Sequence, residues 1–174
     1  MFNDRRRTAE QRAMSVATAY EKERGAYVQD VSAGNDPRLR EALERCGCAR
    51  PSVASADIVS SLDHEIRIIE VKGRGSSGPI TVIEREHETF SAAGPASWLY
   101  VVWNTTQPGP YRLITVQDPQ HLPWVQTQPA EREPGMPRGS RHEAKFECQP
   151  QHIQHLGVEA DLTGLTLPSK TTTR

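Results

Sequence analysis

The sequence predicts an α/β (α+β) fold with one central mixed sheet and helices packed against it. Three observations carry this. Segments of helical and strand period follow one another as helix, strand, strand, strand, helix, strand, strand. The run SWLYVVWN (97–104) is apolar almost throughout, as a strand covered on both faces should be. Two strand-like segments flank Asp63-His64, a hairpin signal.

Taken in order, residues 8–24 form the first helix. Ala13, Val16, Ala17 and Tyr20 repeat at helical spacing, and Gly25 is a natural stop. AYVQDVS (26–32) is a short strand. DPRLREALERCG (36–47) is a small helix with Pro37 in its first turn and Gly47 past its end, inserted between strands. SADIVSSL (55–62) and EIRIIEVK (65–72) are the hairpin strands, and PITVI (79–83) is a further short one. EREHETFSAAG (84–94) is helical and closes on Gly94. YRLITVQDP (111–119) alternates and should neighbour 97–104, with Pro108-Gly109-Pro110 in the turn. Beyond residue 120 periodicity is lost and Pro, Gln, Arg, Glu and Thr dominate. Residues 123–174 are therefore expected as a Pro/Gln-rich linker and a loosely structured C-terminal tail, with one helical turn at 151–156.

Bulk properties narrow the function. The chain has 174 residues, enough for one domain with a real core. Net charge is −1, so no global basic field favours tight non-specific nucleic-acid binding, although a local patch stays open. No apolar run approaches the roughly 20 residues that cross a bilayer, so no membrane role is expected. The start MFNDRRRTAEQR has no apolar stretch behind its arginines and is not a secretory signal. Three cysteines, an odd count, suggest reduced thiols and a cytoplasmic location.

The chemistry concentrates on residues 57–78. With a strand period of two, Ile66, Ile68, Glu70 and Lys72 share one face of 65–72, and Arg67, Ile69 and Val71 share the other. Glu70 and Lys72 end an inward-facing row just before Gly73, Gly75 and Gly78. Counting inward from the turn, Leu62 opposes Glu65 and Asp57 opposes Glu70, which makes the two acids cross-strand partners. Two bare carboxylates so placed repel each other. A divalent cation between them removes that cost, and Mg²⁺ favours one or two carboxylates plus waters and phosphate oxygens. Lys72 would stand beside the cation-bound water, an arrangement suited to hydrolysing a phosphodiester. The bland alternative is a solvated Glu70–Lys72 pair, which would contribute little.

The order Asp57…Glu70-Val71-Lys72 on this frame resembles the PD-(D/E)XK, or restriction-endonuclease-like, superfamily. GAYVQDVS, ADIVS, IEVKGRGSSGPITV and WLYVVWN, over about residues 13–119, resemble the domain at the C-terminus of the NO VEIN protein, whose relatives occur in bacterial helicase and restriction-type systems. The resemblance implies a nuclease-like domain over residues 1–122 with a restriction-endonuclease-like core. It implies Asp57, Glu70 and Lys72 as catalytic residues. It also implies Asp57, Glu70 and the Val71 backbone carbonyl as ligands of Mg²⁺ or Mn²⁺. A further acid is expected from the first helix, with Glu21 preferred to Glu23 because it follows Tyr20. The implied substrate is nucleic acid, DNA first, in a restriction or defence setting with a helicase or another defence-system protein as partner. A catalytically silent binding module serving such a partner is the alternative. Ala56 stands where the superfamily name has proline.

Other residues read more plainly. Arg74 suits a phosphate contact or solvent equally well. Cys46-x-Cys48 with Cys148 and His142 is too tightly spaced for a zinc knuckle, so buried or idle thiols are expected. His152 and His155 lack a partner cluster. His87 near Phe90 reads as a packed core histidine, and Trp98, Tyr100 and Trp103 as core and edge of a strand. Arg5-Arg6-Arg7 reads as a solvated start.

Overall fold

Helix α1 (Phe2–Glu23) lies across the central sheet, and its small apolar residues explain how closely it does so. Ala13, Val16 and Ala17 are completely buried. Beneath them a Cβ on Gly73 would meet the Ala9 carbonyl oxygen at 2.8 Å and the Ala13 Cβ at 3.0 Å. Only glycine fits where helix and strand backbones approach this closely. The computed structural model of the protein describes residues 2–76, 78–130 and 142–167. The linker stretch 131–141 and the chain end 168–174 lie outside the described residues, as do the side chains of Arg5 and Arg6.

The central sheet runs β1 (Tyr27–Asp30), β2 (Ile58–Leu62), β3 (Glu65–Arg74), β5 (Ser97–Trp103), β6 (Arg112–Gln117), β9 (Val158–Glu159). Its β3–β5 pair is parallel and its other pairs antiparallel, so the sheet is mixed as expected. The hairpin turns at Asp63, whose φ of 52° is the left-handed conformation such a tight turn needs. Leu62 opposes Glu65 as counted from the sequence. Between β3 and β5 the chain crosses over through β4 (Ile80–Ile83) and helix α3 (Glu84–Ala93).

Both faces of the sheet are covered, which is why β5 reads as apolar throughout. On one face Ile58, Ile69, Val71, Tyr100, Val102 and Leu113 pack against α1. On the other, Leu99, Val101, Ile114 and Val116 pack with Phe90 of α3 and Ile80 of β4. Val59 and Ile68 on that second face receive Leu39, Ala42 and Leu43 of helix α2 (Pro37–Arg45). The insertion at 36–52 is thus a lid on the sheet. Its helix is started by Asp36, whose carboxylate accepts from the Arg38 N–H at 2.9 Å.

The loose tail expected from residue 123 requires correction. Strand β8 (Lys145–Cys148) lies between β4 and β7 (Val125–Gln128) in a second, three-stranded sheet. Helix α4 (Pro150–Leu156) places Ile153 in the core beside Cys148, both fully buried. β9 extends the central sheet, and Leu162, Leu165 and Leu167 pack against the α1 cluster. Periodicity failed here for a physical reason. The elements span only two to seven residues, and their apolar side chains come singly, each dropping onto a surface that α1, α3 and β6 have already formed.

Candidate active site

Strand alternation delivers the candidate site. Glu70 and Lys72 continue the row of Ile68 on the face of β3 turned away from α1, and Glu70 pairs with Leu99 across the parallel ladder. Glu70 is 4% exposed, far more buried than a carboxylate on a solvated strand. The Lys72 Nζ stands 2.8 Å from Glu70 Oε1. It also stands 2.9 Å from Oε2 of Glu86, on the first turn of α3. The same Glu86 oxygen accepts the Ile83 backbone N–H at 2.9 Å.

Asp57 arrives by a different route from the one expected. The regular β2–β3 ladder stops at Ile58–Ile69, so Asp57 is not a plain cross-strand partner of Glu70. Its backbone N–H reaches the Ile69 carbonyl at 2.9 Å, and its own carbonyl accepts the Val31 N–H at 2.9 Å. Its side chain then takes the place of a strand, with Oδ2 accepting the Val71 N–H at 2.8 Å. A strand residue's N–H and C=O point to the same side, so the Val71 carbonyl is turned toward this same open end of the ladder.

Two carboxyl groups, Glu70 and Glu86, therefore pair with one ammonium, and Asp57 lies near enough to feel its charge. Burial pushes the Asp57 pKa up; the Val71 N–H and Lys72 oppose that rise, and the Glu86 charge adds to it. Burial drives Glu70 well above the ordinary carboxylate value, with Lys72 opposing and Asp57 and Glu86 reinforcing. Burial acts against the Lys72 charge, but Glu70 and Glu86 outweigh it and hold its pKa above the usual lysine value. The lysine stays cationic, and burial, with Asp57 and Glu86 adding to it, favours the protonated form of Glu70.

Glu21 is not brought to this cluster. It is fully buried on the α1 face of the sheet, where Ser60 Oγ donates to it at 2.6 Å and the Tyr100 hydroxyl also donates. Arg24 and Arg67 pair with it at 2.5 and 3.3 Å. Arg67 in turn lies 3.9 Å over the Trp98 ring. Alternation is the reason: α1 meets the row of Arg67, Ile69 and Val71, and Glu70 points the other way. Arg74 lies two residues beyond Lys72 at the start of the glycine turn, and its carbonyl accepts the Thr105 N–H at 3.0 Å. Cys48 and Cys148 sit in separate cores, so the cysteines form no zinc site. His87 stacks on Phe146 with ring centroids 4.2 Å apart, the packed role expected of it.

Glu86 is the residue the sequence reading missed. Its one signal was its position, an acid three residues into a helix that starts directly after a strand.

Among the described residues no three His, Cys, Asp or Glu side chains converge in a metal-holding arrangement. The donor chemistry nevertheless suits a hard divalent cation. All available donors are oxygens, from Asp57, Glu70 and the Val71 carbonyl, and Mg²⁺ is commonly held by one or two carboxylates. Burial is the chief cause that raises Asp57 and Glu70, and neighbouring carboxylate charge adds to it; a cation would offset that added part.

The chain matches the family model described as Protein NO VEIN, C-terminal, over residues 9–115, more than half its length. The match runs from within α1 into β6 and includes Asp57, Glu70, Lys72 and Glu86. No curated protein and no solved structure matches it. No helix among the described residues is long and apolar enough to cross a membrane. The chain belongs to the family of the NO VEIN C-terminal domain.

Proposed function

We propose that this domain is a nuclease of the PD-(D/E)XK, restriction-endonuclease-like type, hydrolysing DNA phosphodiester bonds with Mg²⁺ or Mn²⁺. One observation carries the reading: Asp57, Glu70 and Lys72 gather at the C-terminal end of β3, beside a glycine-rich turn. Asp57, Glu70 and the Val71 carbonyl would hold the cation. When bound, such a cation polarises a phosphoryl oxygen and makes its water a stronger acid. Lys72, kept charged by its acidic neighbours, stabilises negative charge developing on the phosphoryl oxygens. Arg74 would contact a flanking phosphate. The proposed setting is cytoplasmic, in a restriction or defence system, with a helicase or another defence protein as partner.

A second reading is a silent module that binds nucleic acid or a partner protein. The ion pairs that engage Lys72 on two sides and the net charge of −1 favour it. Incubation of the wild type, Glu70→Ala and Lys72→Ala with single- and double-stranded DNA and RNA, with Mg²⁺ or Mn²⁺, separates the two. Cleavage by the wild type alone supports the nuclease. Retention of nucleic acid without cleavage supports the module, and equal cutting by all three removes these residues from the chemistry.

A further inference from the structure

We infer that Glu86 is the positioning residue for Lys72, the group that aims its ammonium at the site. The inference rests on the nuclease reading for Lys72's role, but its structural content is independent of it.

A lysine at the end of a strand is a point charge on a flexible four-carbon stem, and its position is set by what it pairs with. Here the ammonium has two carboxylate partners on separate elements, Glu70 on β3 at 2.8 Å and Glu86 on α3 at 2.9 Å. In the proposed reaction Glu70 is committed to the cation, so Glu86 is the acid left to hold the lysine. Glu86 is itself fixed. Its Oε2 accepts the Ile83 N–H, which ties the carboxylate to the junction of β4 and α3. Phe90, on the same helix, is buried in the core against β4 and β5, so the junction cannot drift. Two of the three ammonium donors are thereby directed, and the remaining one has a set direction. The crossover between β3 and β5 thus contributes a functional side chain as well as covering the sheet.

A helix-capping role alone would give the same Ile83 contact, and the two roles separate by substitution. Glu86→Gln keeps an oxygen for the Ile83 N–H and removes the charge that holds Lys72. Glu86→Asp keeps the charge and shortens the reach by one methylene. The first readout is the ¹⁵N-labelled side-chain ammonium resonance of Lys72, visible when hydrogen bonds slow its proton exchange and assigned by its loss in Lys72→Arg. The second is the split of kcat from KM for DNA cleavage with Mg²⁺.

The wild type should show the resonance and folded Glu86→Gln should lose it. Glu86→Gln should also lower kcat on the order of 10²-fold with KM unchanged, as misplacing a positioned group by about 1 Å does. A folded Glu86→Gln that keeps the resonance, or keeps kcat, overturns the proposal. Should Glu86→Gln not fold, Glu86→Asp is read by the same two measurements, and no change in either overturns it. A wild type that cuts no nucleic acid removes the nuclease reading; the resonance then decides alone whether Glu86 holds Lys72.

Discussion

The Tyr100 hydroxyl donates to the Glu21 carboxylate on the face of the central sheet opposite the one that carries Glu70. That contact assigns Glu21 to the anchoring of α1. Removing its side chain leaves the buried Ser60 and Tyr100 hydroxyls without their acceptor, while Arg24 and Arg67 keep Glu65. Glu21→Ala should therefore cost about 1–3 kcal/mol for each hydroxyl left unsatisfied. Urea unfolding reads the loss. Mg²⁺ affinity by calorimetry should not change in the folded variant, and a selective fall in that affinity would return Glu21 to the metal site.

Asp57 separates charge from hydrogen bonding. Its pKa is raised, chiefly by burial, so the folded state favours its proton. The associated stability is fully present below the unfolded aspartate value near 4 and is lost as pH rises through the higher folded value. Asp57→Asn keeps an acceptor for the Val71 N–H and removes the charge. It should melt no lower than the wild type at pH 7.5, with any advantage vanishing toward pH 4. Asp57→Ala strands the Val71 N–H and should cost about 1–3 kcal/mol. Both should abolish cleavage. Equal melting losses in the two variants at pH 7.5 would mean that the charge itself stabilises the fold.

The hairpin and the two faces of β3 were legible because they depend on local period and on one turn, Asp63-His64. The covered strand β5 was legible because a run that is apolar almost throughout, with no charged side chain, has only the interior to go to. The candidate site was legible as far as β3 carries it, through Glu70 and Lys72. Glu86 was hidden because its reach depends on where the crossover lays α3, a tertiary fact. Asp57 was found for an incomplete reason: the count from the turn led to it, but the ladder ends one residue earlier and the side chain bonds to backbone instead. Glu21 was misassigned because the face of the sheet that α1 would cover is not written in the helix.

His87 offers a pH dependence away from the site. It stacks on Phe146 and meets Trp124 edge-on, and burial lowers its pKa while Glu88 opposes the fall. A base with a lowered folded pKa gives stability that is full above its unfolded value near 6.5 and is lost as pH falls below it. The melting temperature should therefore drop from pH 7.5 to pH 5.5, and His87→Phe should show a smaller drop. An equal drop in both would place the acid sensitivity elsewhere.

Residues 142–167 should be inseparable from the fold. Ending the chain at residue 130 removes β8 from between β4 and β7, so β4 loses its ladder partner and Ile80 and Val82 lose Cys148 and Ile153 beside them. It also removes Gly157, where a Cβ would meet Ile114 Cγ2 at 2.4 Å and the Ile153 carbonyl at 2.7 Å, a mark of how tightly α4 sits on β6. The truncated chain should lose its cooperative melting transition. Ile153→Ala in the full chain tests the same contact more gently and should cost about 2–5 kcal/mol, because the site is fully buried and collapses only in part. Cooperative melting of the truncated chain at the wild-type temperature would make this segment an ornament on an independent core. Loss of the transition together with a large Ile153→Ala penalty makes it part of the wall behind α3, the helix from which Glu86 reaches Lys72.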